Sequence, residues 1–354
     1  MVGRNNGMEQ AKKRNDGFFS WFLHKWKTQP IFSTGCVLIV MVVLQTLALG
    51  FHYESFGAWF QSWGKNWINI LRNNAGVGII ALGMTFVIIS GGIDLAVGST
   101  MVAIGAVMMV LIDGNPDGLL TSLGITGVGA FMIAIVAGMA TGGLLGGVSG
   151  VLISKSKIPP FIATLGMMKI CRSVTQHFMQ KNSPKVPAAF LAISNTKIGG
   201  EVILPIIYWL LIALALYIVS KKTPFGRQVF AIGSSERTAR LSGVNVNRVK
   251  CLVYVLMGVL VAVTAVIQVS RIGSMDYANA GSGYEMDAIA AVIVGGTSMS
   301  GGRGSVYGTV LGMLIIAVMN NLLNLLGVPP FLREAFKGLI VIGAVLLQKK
   351  EANA

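Results

Sequence analysis

The sequence predicts an all-α, polytopic membrane protein, and three observations carry that reading. Hydrophobic residues fill 54% of the 354 positions and charged residues only 12%, too lopsided for a surface that faces water. The apolar residues gather in runs close to the roughly 20 residues that a helix needs to cross the hydrocarbon core. The 28 Lys and Arg, which give a formal net charge of +15, fall in short segments between those runs. Basic residues so distributed set topology and meet lipid headgroups, so the excess charge is not read as a nucleic-acid surface.

The elements follow in order. Residues 1–29 form a polar, basic tail carrying Arg4, Lys12, Lys13, Arg14, Lys25 and Lys27. The run at 31–51, just after Pro30, is a full span with no small-residue cleavage site behind it, so an uncleaved first helix is expected. An aromatic, amphipathic segment at 51–72 sets Trp59, Trp63 and Trp67 on one helical face. That face suits either the headgroup level or the packing side of a buried helix. Spans at 75–90, 95–112, 125–153, 161–178, 202–220, 251–270, 286–299, 305–326 and 331–347 bring the total to about ten. Several are shorter than the roughly 20 residues of a perpendicular crossing, so broken or tilted helices are expected.

Charge then sets the orientation. With the N-terminus inside, eighteen of the 28 Lys and Arg fall on cytoplasmic segments: the tail, Lys155 and Lys157, seven within 221–250, Arg303, and Lys349 with Lys350. The loop at 113–118, placed outside, has none. Both termini are therefore expected in the cytoplasm, with a transmembrane domain at 30–350 and its longest cytoplasmic loop at 221–250. Glycine, at 45 residues, forms two stripes: Gly138, Gly142, Gly146 and Gly150 in the fourth span, and Gly304, Gly308 and Gly312 in the ninth. Small residues at this spacing let backbones approach closely, which serves packing inside one subunit or, in the alternative reading, a dimer seam or gate. An inverted repeat of two five-helix halves is suggested by Ile158-Pro159-Pro160-Phe161 and Val328-Pro329-Pro330-Phe331. The resemblance of Gly91-Gly92 to Gly295-Gly296 points to a different offset, and both cannot mark one repeat.

The loop at 221–250 holds the most informative polar chemistry. Ser234 or Ser235 can cap a short helix through Glu236, Arg237, Thr238, Ala239, Arg240 and Leu241, which Ser242 and Gly243 would end. So short a polar helix is not stable alone in water and must dock, either on its own membrane domain or on a separate subunit. Among ionisable groups near the spans, Asp94 stands at a break between helices beside Gly91, Gly92 and Ser99. It is read either as a polar anchor shaping a translocation path or gate, or as a cap accepting from backbone N–H groups near Val97. Asp276, Glu285 and Asp287 are expected at the outer mouth, as solvated loop residues or as a docking surface. Arg333, Glu334 and Lys337 are expected to form a local ion-pair cluster. No phosphate-binding Gly-x-x-x-x-Gly-Lys-Ser/Thr, no His-Glu-x-x-His and no nucleophile elbow occurs in the sequence. His24, His52 and His177 stand singly, and Cys36, Cys171 and Cys251 lie far apart without metal-ligand spacing. Neither a catalytic group, a metal nor a cofactor is expected.

Five ordered phrases then carry a resemblance. They are Ser90-Gly91-Gly92-Ile93-Asp94-Leu95-Ala96-Val97-Gly98-Ser99, Ile158-Pro159-Pro160-Phe161-Ile162-Ala163-Thr164-Leu165-Gly166, Thr223-Pro224-Phe225-Gly226-Arg227 with Ala231-Ile232-Gly233, Ala239-Arg240-Leu241-Ser242-Gly243-Val244, and Asp287-Ala288-Ile289-Ala290-Ala291 leading to Gly295-Gly296. From about residue 30 to residue 350 the chain resembles the permease subunits of ABC importers for simple sugars, of the ribose, galactose, xylose and autoinducer-2 type. The resemblance implies a multi-pass protein of the bacterial plasma (inner) membrane that pairs with a second copy of itself or a close relative. It implies a separate cytoplasmic ATPase gripping the helix around Ser234, Ser235, Glu236, Arg237, Ala239, Arg240, Ser242 and Gly243, and an external binding protein that delivers a monosaccharide. A stand-alone ion- or proton-coupled transporter is the alternative, but the spans offer it almost no carboxylate or histidine relay besides Asp94. An intramembrane enzyme would need a catalytic constellation that the sequence lacks.

Overall fold

The computed structural model describes Lys25 and residues 30–50 and 54–352, so the expected basic tail at 1–29 lies, Lys25 apart, outside the described residues. Thirteen helices follow: α1 (Pro30–Leu49), α2 (Phe56–Ile89), α3 (Val97–Leu111), α4 (Gly127–Ser154), α5 (Pro160–Met179), α6 (Ala188–Asn195), α7 (Leu204–Lys222), α8 (Pro224–Ser234), α9 (Glu236–Leu241), α10 (Val246–Ile272), α11 (Tyr284–Val294), α12 (Val306–Leu325) and α13 (Pro330–Ala352). Between α6 and α7 a small antiparallel hairpin pairs Lys197–Ile198 with Glu201–Val202 across Gly199 and Gly200. Six helices are long and apolar enough to cross a membrane: α1, α2, α4, α7, α10 and α12. The chain is thus an all-α polytopic membrane protein.

Two boundaries differ from the sequence expectation. The aromatic segment at 51–72 and the span at 75–90 are one continuous helix, α2, of 34 residues. No proline interrupts it, Gly76 and Gly78 continue the helix, and Asn74 turns its amide back to the Ile70 carbonyl at 2.8 Å, so its polar group is satisfied within the helix. The tryptophan face packs on the end of α1: Trp59 Nε1 donates to the Gly50 carbonyl and Trp63 Nε1 to Thr46 Oγ1, each at 3.1 Å. That is the packing reading of the face. The run at 286–299 is helical only to Val294, because Gly296 takes a left-handed φ of 87° and closes a C-terminal turn. Gly296 N donates to the Ile293 carbonyl at 2.9 Å and Thr297 N to that of Val292 at 3.1 Å.

The second and tenth helices form the centre. Ile79, Ile80, Leu82 and Met84 of α2 and Val253, Met257, Ala262 and Ala265 of α10 are wholly buried. Around them the exposed faces of α1 (Ile39, Val40, Leu47), α4 (Val128, Met132, Val136) and α7 (Leu210, Leu211, Leu214) are apolar. Lipid tails are as apolar as these side chains, so they can face hydrocarbon while backbone hydrogen bonds stay within each helix.

Close packing at the centre runs through glycine. A Cβ on Gly142 would strike the Gly258 carbonyl of α10, one on Gly146 the Tyr254 carbonyl, and one on Gly150 the backbone of Cys251. Gly138 is filled from the other side by Met108 and Ile104 of α3. In α12, Gly308 and Gly312 meet the carbonyls of Gly295 and Ala291, while Gly304, just before the helix, abuts the Thr297 side chain. Apart from Gly138 and Gly304, which meet side chains, both stripes press backbone on backbone within a single chain.

Candidate coupling and translocation site

A polar elbow between α7 and α10 is assembled from local capping. Thr223 caps α8 by accepting from Gly226 N at 3.2 Å, with Pro224 pre-set at the first helical position. Ser235 caps α9 by accepting from Thr238 N at 3.2 Å, whereas Ser234 ends α8 and donates to the Phe230 carbonyl at 3.0 Å. Of the two expected caps, Ser235 is the one used. Glu236 pairs with Arg240 one turn on at 3.1 Å and with Lys250 at the start of α10 at 2.6 Å. The bonded Lys250 ammonium holds the Glu236 carboxyl below its ordinary range. Ser242 and Gly243 close the helix: Gly243, at φ 82°, donates to the Arg240 carbonyl at 3.1 Å and Val244 N to that of Ala239 at 3.1 Å.

The elbow has an inner and an outer side. Ala239 turns inward and is buried, so it cannot present itself to a partner. Arg237, Arg240, Ser242 and Gly243 are exposed, and so is Leu241, 82% exposed at the tip. Leu241 is not among the residues that the sequence places at the docking surface.

Beneath the elbow three distant segments meet. The end of α8 brings Gly233 so close that a Cβ there would collide with the Ile89 carbonyl at the end of α2 and with the Gly302 amide. Gly302 N itself donates to the Ile89 carbonyl at 2.9 Å. Phe86 and Phe225 stack beside them, ring centres 6.3 Å apart. The elbow, the end of α2 and the turn between α11 and α12 are thus joined by backbone contact.

From that junction the chain leaves α2 through Gly91 and Gly92. Gly91, at φ 80°, donates to the Ile88 carbonyl and Gly92 N to that of Val87, both at 2.9 Å, the same C-terminal closure that ends α11. Gly92 has no room for a Cβ beside the Tyr254 hydroxyl of α10, which donates to the Ile93 carbonyl at 3.1 Å. Asp94 is buried and accepts from Ala96 N at 2.9 Å, a turn bond ahead of α3, while Ser99 donates back to the Ala96 carbonyl at 2.9 Å. Gly91, Gly92 and Asp94 therefore shape one short non-helical connection, and Ser99 sits in the first turn of the helix that follows it.

That connection meets a second one. Gly98, at the start of α3, lies against the Gly281 carbonyl in the loop before α11, so the N-terminal ends of the two short helices converge. Arg172 of α5 fastens the same loop, donating to the carbonyls of Tyr277 at 3.1 Å and Ala280 at 2.8 Å. The three acidic residues expected together at the mouth are separated. Asp276 is in an exposed turn, its carboxyl held below the ordinary range by the Asn279 amide and by backbone bonds from Ala278 and Asn279. Glu285 accepts from Gly283 N at 3.3 Å. Asp287 is 8% exposed and pairs with Lys337 of α13 at 2.9 Å, and Lys337 also meets Glu334 at 2.8 Å. The ion-pair cluster thus reaches across to α11 and omits Arg333, whose buried Nε has no partner among the described residues.

The surface elbow, the end of α2 and the α11–α12 turn therefore share one junction.

Comparison with known proteins gives this geometry a context. A sequence profile described as the permease component of branched-chain amino acid transport systems matches residues 66–345. The ribose import permease of Bacillus subtilis (strain 168) is 41% identical over 81% of this chain and 85% of its own length. That of Escherichia coli (strain K12) is 35% identical over 89% of this chain and 92% of its own. The fructose import permease of Rhizobium meliloti is 31% identical over 90% and 86%. No solved structure gives a significant match. With profile and relatives spanning nearly the whole helical domain, the chain belongs to this permease family and is the transmembrane permease subunit of an ABC importer in the inner membrane.

Proposed function

We propose that this permease carries a monosaccharide, with ribose the first solute to test, and that it does so as a pair of identical or related copies. An external binding protein delivers the sugar and a cytoplasmic ATPase subunit grips the elbow through Arg237, Arg240, Leu241, Ser242 and Gly243. The observation that carries the coupling is the junction of Gly233, Ile89 and Gly302, because a push on α8 and α9 cannot leave α2 or the α11–α12 turn behind. The relatives named for ribose and fructose import support the solute class.

The same reading sets the topology: ten membrane segments with both termini in the cytoplasm, of which α3 and α11, at 15 and 11 residues, reach only part of the way. The order of lengths supports two inverted halves, α1–α5 and α7 with α10–α13. In each half a long helix precedes a short one, and the last helix opens on Pro-Pro-Phe. The meeting of Gly98 with Gly281 sets the starts of the two short helices face to face, as a pseudo-two-fold axis requires.

Reconstitution of the permease with its ATPase and binding protein in proteoliposomes tests the reading. Uptake of labelled ribose that needs both ATP and the binding protein is expected. Uptake driven by an ion gradient with the purified chain alone would revive the secondary-transporter alternative and overturn this one.

A further inference from the structure

We infer that the face of α5 carrying Gly166, Lys169, Ser173, Gln176 and His177, continued by Gln180 just past its end, lines a water-filled solute path, with Lys169 at its midpoint; this rests on the transporter reading above. The helical repeat sets these six residues on one stripe, opposite the buried side formed by Met167, Cys171 and Thr175 that packs toward α3. Gln176 is half-buried and the other five are exposed. A Cβ added at Gly166 would meet nothing.

The chemistry of this face argues against lipid as its occupant. The outward faces of α1, α4 and α7 are built from Val, Leu, Ile and Met, whereas α5 turns this polar stripe outward beside the exposed Ile162, Ile170 and Val174. Lys169 is the tenth of 20 residues, so in a helix about 30 Å long it stands near the middle of a hydrocarbon layer of about the same thickness. A lysine near a helix end can extend its ammonium to the interface, but one at the middle cannot, and a charge left in hydrocarbon is strongly unfavourable. Lys169 has no ion-pair or hydrogen-bond partner among the described residues. Water must reach it.

The neighbouring cleft does not compete for this role. Between α3, α4 and α5 lies an opening of about 460 Å³ bounded by Val107, Leu145, Ile170, Val174 and Phe178. Its walls offer almost nothing to hydroxyl groups. The stripe instead alternates one cation with hydroxyl, amide and imidazole groups, a weak and repeated set of donors and acceptors that suits a neutral polyhydroxylated solute in transit. Arg172, one residue from Ser173, ties the same helix to the loop before α11, so the stripe moves with the convergence of the two short helices.

Single cysteines test this in the assembled transporter, on a background without Cys36, Cys171 and Cys251. Gly166→Cys, Lys169→Cys and Ser173→Cys are treated with a charged methanethiosulfonate that does not cross bilayers, beside Val136→Cys and Leu214→Cys on the apolar faces. The stripe positions are expected to react on the order of 100-fold faster than the apolar ones, reflecting the depletion of charge at the bilayer centre. Reaction of the stripe only with a bilayer-soluble maleimide would make it lipid-facing, and reaction with neither would bury it between copies; either result overturns the inference. Should Lys169→Cys fail to assemble, Gly166→Cys and Ser173→Cys read the same face. The labelling needs no sugar, so a transporter that labels as expected but takes up no ribose would refute the solute assignment and leave the path standing.

Discussion

Gly233 is the residue on which the coupling argument turns. A larger side chain there must push the Ile89 carbonyl and the Gly302 amide apart, and such overpacking costs about 1–3 kcal/mol. Gly233→Leu is expected to lower ATP-driven uptake by roughly tenfold or more for that reason, while the complex still assembles in size-exclusion chromatography. Full uptake by Gly233→Leu would remove the junction from the mechanism. Leu241→Glu acts on the outer side: it should weaken ATPase capture without altering the melting of the isolated permease, because the side chain touches little of its own chain. Glu236 provides a pH test. Its carboxyl is held below the ordinary 4.5 by Lys250, so its contribution to the elbow is complete above that value and fades as pH falls through the lower folded-state value. Amide exchange in α9, corrected for intrinsic rates, should stay slow down to the ordinary carboxylate range and rise only below it. In Lys250→Met the rise should move to higher pH, and an unmoved profile would mean that the pair does not hold the elbow.

At the scale of elements, the tightest test lies between α4 and α10. Gly142→Leu and Gly146→Leu would drive a side chain into a backbone carbonyl of α10, and each should lower the melting temperature of the detergent-solubilised protein markedly. Gly35→Ala in α1, with open space around it, is the control and should melt like the parent. What could be read in the sequence follows the same division. The apolar runs, the left-handed exit at Gly243 and the spacing of Gly142, Gly146 and Gly150 are local patterns, and each corresponds to an element or a contact. The continuity of α2 was not legible, because Asn73 and Asn74 read as a polar break until the Asn74 amide is seen bonded to the Ile70 carbonyl. The early end of α11 was written in Gly295 and Gly296, but an apolar window extending past them outweighed the pair. Ala239, counted among the outward residues of the elbow, could not be assigned a direction until the side of α9 that faces α10 was known.

For the whole molecule, the two repeat signals separate once the helices are in place. Gly91-Gly92 and Gly295-Gly296 match as C-terminal closures at the ends of α2 and α11, a helix of 34 residues and one of 11. The two Pro-Pro-Phe phrases open α5 and α13, the last helix of each half in the proposed inverted repeat. No sequence pattern announces the meeting of Ile89, Gly233 and Gly302, since those contacts are between backbones more than 60 residues apart. The last helix is held by chemistry that is easier to test. Asp287 and Lys337 are nearly buried together, and removing one partner from such a pair typically costs about 3–5 kcal/mol through the charge left behind. Lys337→Met should therefore destabilise the protein strongly in detergent melting, and Asp287→Asn combined with it should recover much of the loss. A double variant no better than the single would show that Lys337 acts elsewhere.

The unbroken course of α2 has a mechanical consequence. Thirty-four residues make a rod of about 50 Å, clamped at one end by the elbow and carrying its tryptophans at the other. A rod of that length amplifies rotation: a tilt of about 5° at the clamped end sweeps the far end through roughly 4 Å, close to one helical pitch. Displacements too small to disturb the capping bonds at Ile89 would then be felt, a helix length away, where the tryptophans pack on the end of α1.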